Sequence, residues 1–265
     1  MPYLSKIALN PRRRGALRLL GNPHFMHAAV LAGLARQPVT ERVLWRLETT
    51  TPHRPEVLVL TDSRPDFTHL VEQAGWPHAD AGQPLVRDYT PLLERITVGR
   101  EFAFRLTANP VQHLRRPQNM SDEQALLRAK QDALHGTAAE RKVRGFRVAH
   151  RTAAHQLTWL LSRAERAGFC IPPVRTSAPD TPELGLGRPG RPAPDVALVA
   201  RDTLRFRKHK GGRDIVLATA TFQGRLRVTD TDALRAALLN GIGPAKAYGQ
   251  GLLTLAPLPS EQHYA

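Results

Sequence analysis

From Tyr3 to Asn10 apolar and polar positions alternate, with Tyr3, Ile7 and Leu9 on one face, and this spacing predicts a strand. Pro11 and Gly15 interrupt the pattern, so the Arg-rich stretch Arg12–Arg18 reads as a loop. Asn22-Pro23 then opens a helix, because Asn is a good N-cap and Pro suits the first helical position. The helix is expected from about His24 to about Gln37, with Met26, Val30, Gly33 and Leu34 as its apolar stripe. Val43–Glu48 and Glu56–Thr61 read as a hairpin joined across Thr51–Pro55. A short helix within Pro65–Ala74 and a strand within Tyr89–Val98 complete the order strand, helix, strand, strand, helix, strand, which is the ferredoxin-like pattern.

The same order recurs in the second half. Glu101–Val111 is a strand with Phe102, Phe104 and Leu106 on one face, and residues 115–150 form a polar and basic insertion. Thr152–Gly168 is an amphipathic helix with Leu157, Leu160, Leu161 and Ala164 inward. Seven prolines and three glycines within 171–195 predict a loop with no structure of its own. Asp202–Lys210 and Ile215–Val228 flank the turn Gly211-Gly212, a strong hairpin signal. Thr229–Asn240 is a helix capped by Thr229 or Asp230, with Leu234, Leu238 and Ile242 inward, and Leu252–Leu258 is the last strand. The expected fold is therefore α+β, two tandem ferredoxin-like (RRM-like) domains, residues 1–98 and 99–265.

Charge says what such a scaffold binds. Lys and Arg number 38 against 23 Asp and Glu, a net charge of +15 that repels itself unless a polyanion is the partner. No run approaches the roughly 18 apolar residues of a membrane span. The first ten residues also lack the pattern of a secretory signal. With Cys170 as the sole cysteine, the chain reads as a cytoplasmic protein with a nucleic-acid partner, no membrane and no thiolate metal cluster. The basic residues are clustered. The first 40 residues hold Lys6, Arg12, Arg13, Arg14, Arg18 and Arg36 with no Asp or Glu; Arg141, Lys142, Arg144, Arg147 and Arg151 form a second run, and Arg205, Arg207, Lys208, Lys210 and Arg213 a third. Three runs in one chain suit a surface that tracks phosphates. Aromatic residues are only 6% of the chain, which favours backbone and groove contacts to a structured RNA over base stacking.

Between the last helix and the last strand lies Gly241-Ile-Gly243-Pro-Ala-Lys246-Ala-Tyr248-Gly249-Gln-Gly251. Its glycines let the backbone pass close to another surface and present N–H groups to an anion, and Lys246 adds charge. The string GIGPAKAYGQGLLTLAPL resembles the glycine-rich C-terminal signature of the repeat-associated RNA-binding proteins, in the form closest to the CasE family of the type I-E CRISPR system. YLSKIALNP, NPHFMH, FAFRLTANPV and FQGRL resemble that family too, in the family's order, so the resemblance spans nearly the whole chain. It implies two ferredoxin-like domains that bind the hairpin of the repeat RNA. It also implies cleavage at the 3′ base of that hairpin without metal or cofactor, and retention of the product within a surveillance complex. A non-catalytic RNA-binding subunit on the same fold is the alternative.

Metal-free RNA cleavage needs the 2′-OH as nucleophile, a proton shuttle and a cation on the developing phosphorane. Histidine suits the shuttle because its pKa of roughly 6.5 lies near working pH. His27 matches the family's catalytic histidine. His24 shares its helical face, at a position where relatives often carry Tyr. His24-x-x-His27 is also half of a metal pattern, but no Cys or carboxylate partner stands out. By the resemblance, the phosphorane stabiliser is a Lys of the basic hairpin. Alternation places Lys208 and Lys210 on the same strand face and does not choose between them, with Lys208 preferred. The expected RNA-binding residues are Arg12, Arg13, Arg14, Arg36, Arg144, Arg147, Arg205, Arg207 and Arg213, with Gly241, Gly243, Lys246, Gly249 and Gly251 of the loop.

Overall fold

The computed structural model describes residues 1–114, 125–126, 129, 146–175 and 192–258. Arg141, Lys142 and Arg144 of the second basic run lie outside the described residues. The first alternating segments form β1 (Tyr3–Ala8), β2 (Leu44–Glu48), β3 (Glu56–Thr61) and β4 (Leu85–Asp88). They pair antiparallel in the order β2-β3-β1-β4. The two-residue period turns Ile7, Trp45, Val57 and Val59 to one face. That face is covered by α1 (Arg14–Gly21), α2 (Pro23–Leu31) and α3 (Thr68–Ala74), through Ala16, Met26, Val30, Leu70 and Val71.

Three local expectations give way to tertiary packing. Residues expected as a loop form α1, because Gly15 is a contact point: a Cβ there would stand 2.2 Å from the Gln73 carbonyl oxygen of α3. The next helix ends at Leu31 rather than near Gln37. Gly33 leaves it to press against Phe67, and its carbonyl accepts the Asp66 N–H at 2.8 Å. The expected strand at Tyr89–Val98 begins instead with α4 (Thr90–Glu94); Asp88 Oδ1 accepts the Thr90 N–H at 2.9 Å and Pro91 starts the turn.

The second half builds β5 (Glu101–Ala108), β8 (Phe169–Cys170), β9 (Val196–Arg207), β10 (Asp214–Val228) and β11 (Leu253–Ala256). β11, β5 and β10 are neighbours in that order. Both β8 and β9 pair with β10, β8 at Arg227–Val228 and β9 along Asp214–Gly224. β6 (Val111–Leu114) and β7 (Phe146–Ala149) make a separate antiparallel pair. The core of this half is Phe102, Phe104, Leu106, Phe222 and Leu226 under α5 (Ala153–Ala164) and α6 (Thr231–Asn240). Thr152 caps α5 and Asp230 caps α6. In α5 the inward side carries Gln156, Trp159, Leu160 and Ala164, whereas Leu161 is 38% exposed. Trp159 takes the inward place by stacking on Phe222, with ring centroids 6.5 Å apart. Each half thus has the ferredoxin-like order, an α+β fold of two tandem units.

The halves are fused through the other face of the first sheet. Leu44, Leu58 and Leu60 join the second core together with Tyr89 and Ile96. At their centre Arg46 on β2 is 2% exposed. It donates to the carbonyls of Arg105 (2.9 Å) and Leu252 (2.8 Å), to Thr254 Oγ1 (2.8 Å) and to Glu48 Oε1 (2.6 Å).

Candidate active site and nucleic-acid interface

Met26 and Val30 anchor α2 in the first core, and this leaves His24 and His27 half-buried on its flank. His27 Nδ1 is buried and has no hydrogen-bond partner among the described residues. No acceptor among the described residues therefore pins the imidazole in one tautomer. Burial, and then the neighbouring His24, hold the His27 pKa below its usual 6.5. The neutral ring, able to accept a proton, predominates near neutral pH.

The N-terminus of α2 meets the basic hairpin of the second half. Asn22 caps the helix through Oδ1, which accepts the His24 N–H at 2.9 Å, while its Nδ2 donates to the Arg207 carbonyl at 2.9 Å. Arg207 is the last residue of β9. Lys208 and Lys210 are exposed on the turn that follows it, so the strand alternation used above does not govern them. Arg205 and Arg213 are exposed as well, and Arg207 pairs with Asp214 across the hairpin. Gly211 makes the turn possible at φ +78°.

The glycine loop closes the joint from the third side. Its helical turn Lys246–Tyr248 packs on α2, and Tyr248 meets Phe206 edge-on at 4.9 Å. A Cβ on Gly243 would stand 2.9 Å from Trp159, and one on Gly249 2.7 Å from Trp45. The loop is threaded between the two cores, and packing explains its glycines directly. The N–H groups of Gly241, Gly249 and Gly251 are not turned to an anion but bond the carbonyls of Ala237, Lys246 and Thr107. Lys246 also points inward: its Nζ donates to the Gly243 carbonyl at 2.6 Å, and burial lowers its pKa.

The remaining arginines are spread. Arg12 and Arg14 are exposed at the entry to α1, and Arg36 is exposed beyond α2. Arg13 is directed to the end of α3, donating to the carbonyls of Val71 (3.4 Å) and Gly75 (3.3 Å). Arg147 is exposed on β7. Among the described residues no group of three or more His, Cys, Asp or Glu could hold a metal ion. A cleft of ≈ 230 Å³ opens between the α1–α2 joint and the uncovered face of the second sheet, lined by Met26, Trp45, Arg105, Arg205, Thr221 and Tyr248 but not by either histidine. The pattern reading missed Tyr248 and the second bond of Asn22. Only the aromatic inside the glycine string hinted at the first, and no local signal marks the second.

Two ferredoxin-like units that set a histidine-bearing helix against a basic hairpin define a tandem fold with a candidate site at the joint. The chain belongs to the CRISPR-associated protein family, whose model, described as "CRISPR associated protein", matches residues 2–257, and within it the chain is of the CasE type. It is 30% identical over 262 residues to the CRISPR-associated endoribonuclease Cse3 of Thermus thermophilus, covering 96% of this chain and 100% of the relative. It is 27% identical over 223 residues to the CRISPR system Cascade subunit CasE of Escherichia coli, covering 81% and 89% of the two chains. Among solved structures it is similar to Thermus thermophilus Cse3 bound to an RNA representing a pre-cleavage complex. That similarity has a TM-score of 0.66 at 29% identity, over 97% of this chain and 99% of the other.

Proposed function

We propose that this protein is an endoribonuclease that cuts CRISPR repeat hairpins in precursor transcripts without a metal. In this reading it works in the cytoplasm and stays on its product as a subunit of a type I-E surveillance complex. Residues 1–98 supply the catalytic helix, and residues 99–265 supply the basic hairpin and the glycine loop. The observation that carries the reading is the joint at Asn22, where the helix of His24 and His27 is bonded to the residue just before Lys208. The likeness to an endoribonuclease, and to its structure with a pre-cleavage RNA, supports the same reading.

The chemistry follows from the groups present. The 2′-OH attacks the adjacent phosphorus, the P–O5′ bond breaks, and the products carry a 2′,3′-cyclic phosphate and a 5′-OH. His27 moves the proton: its depressed pKa keeps it able to accept one from the 2′-OH and give one to the departing O5′. His24 is the second proton carrier on the same helical face. Lys208, or Lys210 beside it, offsets the charge on the phosphorane. Arg205, Arg207 and Arg213 hold the stem, and Arg12, Arg14, Arg36 and Arg147 add further phosphate contacts; Arg144, outside the described residues, is assigned the same role from its sequence position only.

The test is single-turnover cleavage of a repeat stem-loop in EDTA. Cleavage should persist, a 2′-deoxy nucleotide 5′ of the scissile phosphate should abolish it, and His27→Ala should lose roughly a hundredfold in rate with RNA affinity kept. Cleavage that EDTA stops would point to a metal-dependent nuclease, and tight binding without cleavage to a non-catalytic subunit.

A further inference from the structure

Asn22 is the side chain whose two ends bond the two halves of the candidate site. Its Oδ1 accepts the backbone N–H of His24, and its Nδ2 donates to the carbonyl of Arg207, each at 2.9 Å. The amide is planar and short, so with both ends engaged it fixes the spacing between the first turn of α2 and the end of β9. Resting on the endoribonuclease reading above, we infer that Asn22 is a positioning residue for cleavage, a strut that sets the histidine helix against the lysine-bearing turn.

An N-cap alone does not account for this choice of residue. Ser, Thr and Asp cap a helix about as well as Asn. None of them offers a second group that donates while the first accepts: Asp is acceptor-only, and Ser has a single oxygen on a shorter stem. Other contacts hold each part in its own fold. Met26 and Val30 anchor α2, and Arg207 pairs with Asp214 across the hairpin, while Phe206 on Tyr248 keeps the hairpin near α2 without fixing its register. Removing the strut therefore leaves both elements folded and loosens their mutual placement, which then rests on the packing of Tyr248 alone among these contacts. Cleavage is sensitive to that placement, because reacting groups displaced by about an ångström can lose on the order of a hundredfold in rate. Binding is spread over many cations and is much less sensitive.

The experiment compares wild type with Asn22→Ser, which keeps the cap and loses the bond to Arg207. It reads the single-turnover rate at saturating protein, the affinity for an uncleavable 2′-deoxy repeat stem-loop, and the melting temperature. Asn22→Ser is expected to slow cleavage about tenfold, with affinity within about twofold and melting unchanged. The same substitution is then made in whichever of Lys208→Ala and Lys210→Ala is the slower enzyme. A strut acting through the hairpin has little left to position there, so the further loss should be below about threefold, a non-additivity that a purely structural role would not produce. Wild-type rate in Asn22→Ser, or full additivity with the lysine variant, overturns the inference. Wild-type protein that binds and does not cut overturns the endoribonuclease reading first, which keeps the two failures distinct.

Discussion

Replacing Arg46 by Met keeps most of its apolar volume and removes the guanidinium that joins the two halves. The Glu48 carboxylate keeps a cation, since Arg105 Nε stands 3.0 Å from Oε2. Thr254 Oγ1 can still donate to the Arg105 carbonyl, although at 3.3 Å. The Leu252 carbonyl loses a 2.8 Å charged donor in a buried place, and the Arg105 carbonyl loses its shorter one. The stripped Leu252 carbonyl costs about 1–3 kcal/mol, and the charge-assisted bond lost at the Arg105 carbonyl, which keeps the Thr254 hydroxyl, adds about 1.5–3 kcal/mol, a loss of about 2.5–6 kcal/mol together. At about 2–4 °C per kcal/mol for a chain near this size, melting should fall by roughly 5–24 °C. Thermal unfolding followed by circular dichroism, with urea unfolding alongside it, measures this. Arg46→Lys should recover only part of the loss, because one ammonium cannot span acceptors on β5, β11 and the approach to β11 in the guanidinium's planar geometry. A melting temperature within about 2 °C of wild type in Arg46→Met would refute the claim that this arginine cements the halves.

Two further outcomes follow from packing and charge. Gly249→Ala forces a Cβ to 2.7 Å from the Trp45 ring at φ +76°, whereas Gly211→Ala at φ +78° meets nothing within 4 Å. Both carry the left-handed cost of roughly 1–2 kcal/mol, and only Gly249→Ala adds an overpacking cost of about 1–3 kcal/mol, so equal urea midpoints for the two would contradict the packing role of the loop. Glu101 accepts hydrogen bonds from Arg225, Arg227 and Arg175, and these bonds, the Arg225 one foremost, push its carboxyl down to about 2 from the usual 4.5. A depressed acid stabilises the fold fully above pH 4.5 and loses that contribution as pH falls toward 2, so the stability gap between wild type and Glu101→Gln should narrow over that window; a gap independent of pH would contradict the pairing.

The sequence alone determined what depends on near neighbours. Alternation marked most strands of both sheets, because the pleat repeats every two residues whatever packs on it. Asn22-Pro23 marked the start of α2, and the three-residue spacing put His24 and His27 on one flank, since cap and helical period are local properties. Gly211-Gly212 marked the hairpin that carries the basic tip. Tertiary structure decided what the same residues do at a distance. Gly15 reads as a helix breaker until Gln73 is brought against it, and Gly33 reads as part of a stripe until Phe67 draws it out of the helix. Arg46 has the look of a solvent-facing charge in a strand, and Lys246 that of a phosphate ligand, yet both are turned to backbone carbonyls inside the protein. The bond from Asn22 to Arg207 crosses 185 positions of sequence. No local period encodes such a contact, because its geometry is set by how the free face of the first sheet, through Leu44, Leu58 and Leu60, packs into the core of the second half.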